Sequence, residues 1–228
     1  MRLLRLTLGE FYFQFKYGIL LLYCLITVVY LCVLGMIPQG AKITTAVILV
    51  FTDPAAMGLF FLGAVVLLEK SQRVNCSLAV TPIKVSEYIL AKVIAFMITG
   101  TIVGGILCIF AGIEQLFFAL LGTALSSVLF SLCGLLIAVK IHSLNQFLLA
   151  TVPLEIVLCI PAFLYLFNVI RSPFMLIHPG VAAIELLKNS TDFWYLCIIS
   201  LVFWIGVVFY ISKKATAKFF AQMGGVKL

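Results

Sequence analysis

The residues of this chain that could take part in chemistry are concentrated in one segment, residues 69–92, between two long apolar runs. Its charged side chains are Glu69, Lys70, Arg73, Lys84, Glu87 and Lys92, and Thr81-Pro82 is its helix-breaking pair. Such side chains form ion pairs and bind partners, whereas catalysis needs a constellation such as HExxH, paired aspartates or a Ser/His pair, and the apolar runs contain none. A GxxxxGK[ST] phosphate loop is also absent, so we expect no ATP hydrolysis by that route and no enzymatic activity in this chain.

The same segment predicts a helical elbow. The apolar run before it is expected to continue as a helix to about Ala79, and Thr81-Pro82 ends the helix, because proline has no N–H and the residue before it disfavours helical dihedrals. Ser86 is a plausible N-cap for the next helix, with Glu87 favourably placed in the first turn. The segment is therefore either a solvated hairpin or an elbow that transmits a push from a partner protein.

Two carboxylates lie inside apolar runs, where charged side chains are costly and often functional. Asp53 precedes Pro54, which favours an N-cap of the following helix, and a role in transport is the alternative. Glu155 follows Pro153 and lies about eight residues into its run, roughly 12 Å at the helical rise. It either faces a cavity between two chains or lies at the membrane boundary.

The composition places these residues in a membrane protein. Hydrophobic residues make up 64% of the 228 residues, and only 10% are charged. A soluble chain is nearer half apolar and a quarter charged, so an ordinary cytosolic enzyme and a disordered chain are excluded. The net charge of +7 is scattered between apolar blocks, which is typical of membrane topology and not of a nucleic-acid partner. The sequence contains no CxxC pair and no Cys/His cluster, so it predicts neither a metal site nor a disulfide framework.

Six apolar runs are long enough to cross a bilayer, since a spanning helix needs about 20 apolar residues. They cover residues 17–37, 44–68, 89–111, 116–139, 147–170 and 193–211. Of the 15 Lys and Arg residues, only Lys42, Arg171 and Lys188 fall on one side of the predicted membrane. Because positive charge stays in the cytosol, both termini are predicted to be cytosolic. We predict an all-α integral membrane protein in which residues 1–228 form one transmembrane domain.

Small residues in the third and fourth runs predict close packing of helices. They are Gly100, Gly104, Gly122, Ser126, Ser127, Ser131 and Gly134. Small side chains let helices approach closely, and hydroxyl groups can hydrogen-bond between helices. These contacts lie either within one chain or at a seam between two chains.

Residues 1–16 predict an amphipathic helix that lies in the inner-leaflet interface. Its apolar face is formed by Leu4, Leu8, Phe11 and Phe15, and its basic side by Arg2, Arg5 and Lys16. An apolar face beside basic residues is typical of helices that lie on anionic lipid surfaces. The alternative is that the polar face also docks a cytosolic partner.

The amino-acid sequence of residues 68–92 resembles that of a known family. The strings are Leu68-Glu69-Lys70, Leu78-Ala79-Val80-Thr81-Pro82-Ile83, Ser86-Glu87-Tyr88-Ile89-Leu90 and Ala91-Lys92. They are similar to the ABC-2 type permeases, the membrane subunits of ATP-binding-cassette exporters. In that family a glutamate closes span two, a leu-x-val-thr-pro stretch follows, and glu-tyr and a lysine enter span three. The layout of one amphipathic helix, six spans and two cytosolic ends is also similar.

The resemblance implies a coupling role for the segment. Residues 69–88 would be the coupling loop, seated in a groove of a separate ATPase subunit. The family's functional residues would correspond to Glu69, Arg73, Thr81, Pro82, Glu87 and Lys92. Residues 1–16 would be the connecting helix, and 171–192 would contain a short external re-entrant region that caps the pathway.

The resemblance also implies a function. The chain would be the permease subunit of an exporter that moves a hydrophobic or amphipathic substrate, such as a drug, peptide or lipid, out of the cell. ATP and Mg²⁺ would be bound by the ATPase subunit and no cofactor by this chain, which would pair with a second permease protomer, identical or related. We expect a multi-pass protein in contact with lipids of a bacterial inner or plasma membrane. The alternative is a six-span substrate-binding subunit of an ATPase-driven vitamin-type importer, which would bind a small ligand as a monomer.

Overall fold

The structure is a computed structural model that describes residues 2–53, 55–72, 83–170, 172–188 and 193–223. Within these ranges every regular element is helical, as the sequence predicts. Helices satisfy their backbone polar groups internally, which is what hydrocarbon surroundings require. In the described part of the chain, five helices are long and apolar enough to cross a membrane. These helices indicate a multi-pass membrane protein.

The chain begins with the predicted amphipathic helix, α1, which covers Arg2–Lys16. The first membrane helix, α2, follows over Ile19–Met36. Gly18 joins the two with φ +72°, a left-handed conformation that favours glycine because a Cβ atom would be strained there. The tight joint fixes the direction of α1 relative to α2.

The predicted second span is discontinuous. It consists of α3 over Gln39–Thr52, a π-helical turn over Gly58–Leu62 and α4 over Gly63–Ser71. Asp53 follows the last residue of α3 and ends that helix. Proline at position 54 explains the break, because the residue before a proline disfavours helical dihedrals.

The helix that we predict to continue to about Ala79 ends earlier. α4 ends at Ser71, and Gln72 lies in a turn whose N–H donates to Leu68 O at 3.0 Å. Residues 73–82, which complete the predicted elbow, lie outside the described residues. The described part of the segment resumes at Ile83, just before the next helix begins.

The remaining elements follow in chain order. They are α5 (Val85–Ala111), α6 (Leu116–Lys140), α7 (Leu144–Leu166), a 3₁₀ helix (Pro173–Ile177), α8 (Pro179–Leu187) and α9 (Trp194–Met223). α9 continues beyond residue 211, where we predict the sixth span to end. Its extension contains good helix formers, alanine and lysine among them. Part of the predicted tail, 213–228, is therefore helical.

The fourth run, α6, lies at the centre of the bundle and contacts α4, α5, α8, α9 and the π-helical turn. The small residues that we predict to let helices approach closely make these contacts possible within one chain. A Cβ atom on Gly134 would lie 2.2 Å from Leu59 O, and one on Gly122 would lie 2.8 Å from Leu186 Cβ. Close packing inside the chain is therefore confirmed for these glycines.

α8 is a short helix enclosed by longer ones. Every residue of Pro179–Leu187 is buried, and the helix packs against α6, α7 and α9. Gly180 makes this possible, because a Cβ atom there would lie 2.1 Å from Leu158 O in α7. α8 lies within the stretch 171–192 that we predict to be an external re-entrant region, and the side of the membrane stays a prediction.

Candidate functional site

One end of the bundle brings together α1, the end of α4 and the start of α5. α1 presents two opposite faces there. Leu4, Leu8 and Phe15 are exposed, whereas Glu10 and Gln14, one helical turn apart, face α5. Phe11, predicted for the apolar face, is half-buried. The helix therefore combines a face suited to lipid with a polar face turned inward.

Lys92 is the centre of this end. Its side chain is fully buried, and its Nζ lies 2.7 Å from Glu10 Oε1 and 2.5 Å from Glu69 Oε1. Tyr88, one turn earlier on α5, donates its hydroxyl to Glu69 Oε2 at 2.7 Å. We call Glu10, Glu69, Tyr88 and Lys92 the Lys92 cluster. It links α1, α4 and α5 through charge-assisted hydrogen bonds, which are among the stronger kinds.

The cluster holds two carboxylates for one ammonium group, so its electrostatics are not balanced. Burial raises the pKa of Glu10, and the charge of Lys92 opposes that rise while the charge of Glu69 adds to it. One turn further along, Gln14 accepts a hydrogen bond from the Thr99 hydroxyl at 3.0 Å. α1 is therefore attached to α5 at two successive turns by buried polar contacts.

Lys70, next to the cluster, joins the same end to α6. Its Nζ donates to the carbonyl groups of Ala138 and Val139 at 2.7 and 2.8 Å and to that of Ile141 at 2.8 Å. These carbonyls lie at the C-terminal end of α6, where a cation is favoured by the helix dipole. The Phe219 ring of α9 covers the ammonium group at 4.5 Å from its centroid. The extension of α9 thus closes this end of the bundle.

Two of the predicted coupling residues, Glu69 and Lys92, are brought into direct contact. Glu87 is not part of that contact. Its carboxylate accepts a hydrogen bond from the N–H of Lys84 at 3.0 Å, so it caps the start of α5. The prediction that Ser86 is the N-cap is wrong. α5 begins at Val85, and its N-cap is Lys84, two residues before Ser86.

The other predicted coupling residues, Arg73, Thr81 and Pro82, lie outside the described residues. Glu10 and Tyr88 are cluster members that we did not predict. A signal for Glu10 exists in the sequence, since Glu10 and Gln14 form a second polar stripe on the N-terminal helix. The basic residues predicted for the interface helix, Arg2, Arg5 and Lys16, all have exposed side chains.

The two predicted intramembrane carboxylates are apart from this cluster. Asp53 does not cap the start of a following helix; it terminates α3, and its N–H donates to Leu49 O at 3.1 Å. Glu155 lies half-buried on α7, between Pro153 and Pro161. Neither carboxylate takes part in the ion pairs that Lys92 forms with Glu10 and Glu69.

The chemistry available at these sites is ion pairing and binding. Among the described residues, no three His, Cys, Asp or Glu side chains come together as a metal site of that kind would require. The Lys92 cluster instead forms a junction of three helices, placed where the chain enters and leaves residues 73–82. No protein-family model matches the chain, and no curated protein matches it in sequence.

Proposed function

We propose that this chain is the membrane-spanning subunit of an ATP-binding-cassette exporter of the ABC-2 type. Its six spans would be α2, α3 with α4, α5, α6, α7 and α9, with both termini in the cytosol. A separate ATPase subunit would hold ATP and Mg²⁺ and would press on the loop between α4 and α5. The substrate would be hydrophobic or amphipathic, and would pass between this chain and a second permease protomer.

The observation that carries this proposal is the position of the Lys92 cluster. Glu69 lies two residues before the end of α4, and Tyr88 and Lys92 lie in the first turns of α5. Both ends of the loop are thus fixed to each other and to α1 by buried ion pairs. A displacement of the loop would move α1, α4 and α5 together, because a buried hydrogen-bonded network resists separation of its members.

The distribution of charge supports the orientation. Lys70, Lys84 and Lys92 belong to the end that contains the cluster, and the basic side chains of α1 are at the same end. Basic residues near helix ends are retained in the cytosol. An ATPase partner would therefore have access to this end.

The position of Glu155 on α7 supports a second protomer. On α7, large apolar side chains such as Leu149, Val157 and Ile160 are exposed, and lipid can cover these. Glu155 is half-buried on the same helix. A carboxylate facing hydrocarbon is costly, so its side of α7 is better covered by protein or by a polar cavity.

The experiment that tests this function measures coupling. The chain is purified from its native membranes with its associated proteins, and P-loop ATPases among these are identified by mass spectrometry. Glu69→Gln should retain membrane insertion and reduce substrate-stimulated ATP hydrolysis. Glu114→Gln is the matched control, because Glu114 is exposed in the turn between α5 and α6, far in sequence from the loop.

Two results would contradict the proposal. One is the absence of any ATPase in the purified complex. The other is ATP hydrolysis and transport unchanged by both Glu69→Gln and deletion of residues 73–82. A small ligand bound in equal amount to the isolated single chain would favour the substrate-binding subunit of a vitamin-type importer instead.

A further inference from the structure

We propose that a cavity at the end of the bundle opposite the Lys92 cluster binds the head group of a zwitterionic phospholipid, phosphatidylethanolamine. The cavity lies between the end of α7, the 3₁₀ helix, α8 and the residue before α9, and its volume is about 380 Å³. We call it the Glu185 cavity. Glu185 would bind the ammonium group of the lipid, and Lys188 would bind its phosphate. Such binding involves this chain alone and needs neither an ATPase nor transport.

The Glu185 cavity lies at the depth of one membrane surface. α7 and α9 are both long and apolar enough to cross a bilayer, and the cavity is placed where α7 ends and α9 begins. The far end of α9 carries Phe219, which covers Lys70 beside the Lys92 cluster, so the cavity and the cluster lie at opposite ends of the bundle. Trp194 and Tyr195 are exposed at the start of α9. Exposed Trp and Tyr at a helix end are typical of the level of the phospholipid head groups.

Helix α8 brings opposite charges to the cavity. Glu185 and Lys188 both line it, and residues three apart lie on the same side of a helix. Glu185 is only 7% exposed. Lys188 is half-buried, and its Nζ lies 5.4 Å from the centre of the Tyr165 ring. A ligand with one kind of charge would be attracted by one of these residues and repelled by the other, so the pair favours a ligand that carries both charges close together.

Neutral polar side chains in the same cavity suit the rest of the head group. Asn168 and Ser172 line it, and their amide and hydroxyl groups can donate to phosphate oxygens beside Lys188. Glu185 already interacts with the Tyr165 hydroxyl. Since an ionised carboxylate can accept about four hydrogen bonds, the ammonium group of the lipid would add to that contact and need not replace it.

The apolar part of the lining favours a lipid over a water-soluble zwitterion. Pro173, Leu176 and Phe193 line the cavity together with the polar residues, and Phe174, the next residue of the 3₁₀ helix, is exposed. The glycerol and the first carbons of the acyl chains would contact these side chains. The volume of about 380 Å³ is within the range of about 300–1,000 Å³ that is usual for ligand pockets. It is therefore large enough for a head group, with the acyl chains left in the bilayer.

The test compares two lipids that differ in the head group alone. The full chain is purified in detergent with its associated proteins, phosphatidylethanolamine and phosphatidylglycerol with identical acyl chains are titrated, and bound lipid is counted by native mass spectrometry. We expect phosphatidylethanolamine to bind about tenfold more tightly, because phosphatidylglycerol has no ammonium group for Glu185. Loss of one hydrogen bond to a charged group has about this effect. Free phosphoethanolamine should compete weakly, since it lacks the apolar part.

Two variants separate the two charges of the head group. Lys188→Gln should weaken the binding of both lipids about tenfold, because both carry a phosphate. Glu185→Gln should remove the preference for phosphatidylethanolamine, a change of selectivity that a purely structural role of the carboxylate would not cause. Lys42→Gln is the matched control. Lys42 Nζ also lies over an aromatic ring, 4.4 Å from the centre of Phe110, but Lys42 does not line the cavity, so both affinities should stay unchanged.

Three results would each overturn the proposal. Equal affinity of the wild-type chain for the two lipids, or a preference for phosphatidylglycerol, would mean that Glu185 does not bind the ammonium group. Lipid affinities of Lys188→Gln equal to those of Lys42→Gln would place the phosphate elsewhere. Free phosphoethanolamine that binds as tightly as the lipid would make the ligand a soluble zwitterion. If Glu185→Gln does not fold, Lys188→Gln and the comparison of the two lipids decide.

Discussion

The Lys92 cluster and the break at Asp53 both place polar groups inside the bundle, and both involve the discontinuous second span. In the Lys92 cluster the ammonium group meets two carboxylates, and the Tyr88 hydroxyl is also bonded. At the break, the buried Asp53 Oδ2 atom has no hydrogen-bond partner among the described residues. The first region pairs its charged groups within one chain, whereas the second leaves a buried carboxylate oxygen without a partner among the described residues.

This difference separates two roles for buried polar groups. A complete network costs free energy to take apart, so it holds helices together as a unit. An incomplete one is costly, because a buried polar atom without a partner loses its hydration and gains no hydrogen bond in return. The same span therefore carries a paired polar junction at one end and, among the described residues, an unpaired carboxylate oxygen at its break.

The largest effect is expected for Lys92→Met, which leaves two buried carboxylates without their ammonium partner. Breaking a buried ion pair by removing one partner costs about 3–5 kcal/mol. We expect a large fall in Tm in detergent, measured by circular dichroism. Lys214→Met, at an exposed position of α9, should change Tm little.

A rescue experiment shows whether the loss arises from unpaired charge. Adding Glu10→Gln and Glu69→Gln to Lys92→Met should recover much of the lost stability, because replacing all partners is less costly than orphaning some. A triple variant less stable than Lys92→Met alone would mean that the charges of the cluster are not what the lysine stabilises.

A smaller effect is expected for Tyr88→Phe. It removes the hydroxyl that donates to Glu69 at 2.7 Å and leaves the ring against Phe220, at 5.3 Å between centroids. A hydrogen bond to a charged group contributes about 1.5–3 kcal/mol. The decrease in Tm should be clear yet smaller than for Lys92→Met. No change in Tm would mean that Glu69 finds another donor.

Gly134→Ala tests the packing that positions the break. The new methyl group would lie 2.2 Å from Leu59 O and 2.8 Å from Leu59 Cα, so the π-helical turn must move away from α6. Overpacking of this kind costs about 1–3 kcal/mol. Gly206→Ala is the control, since a Cβ atom on Gly206 meets nothing within 4 Å. Equal Tm values for the two variants would contradict the close approach.

The smallest effect is expected for Ser131→Ala. The Ser131 hydroxyl is buried beside Gly58 and has no hydrogen-bond partner in the described part of the chain. Removing an unpaired hydroxyl should leave Tm unchanged or slightly raised. Ser126→Ala removes a hydroxyl that donates to Gly122 O at 2.6 Å and should lower Tm. The reverse order would show that Ser131, not Ser126, has the stabilising partner.

The helical class and most helix positions follow from the sequence because apolar runs and prolines act locally. The break at Asp53-Pro54 is visible for the same reason. The sequence does not reveal that Glu10 reaches Lys92 across 82 positions, because such a contact depends on how α1 turns at Gly18. It also does not reveal that Glu87 caps the start of its own helix, α5, because a glutamate in the first turn can either cap the helix or contact a partner.

The most direct test of the account is to identify what contacts the loop between α4 and α5. A photo-cross-linking amino acid is placed at position 78 of the full chain in its native membranes, and the cross-linked protein is identified by mass spectrometry. The same group at position 114 is the control. We predict a polypeptide with a GxxxxGK[ST] motif cross-linked from position 78 and not from 114. Cross-linking from position 78 to lipid or to this chain alone, with no ATPase, would contradict the account.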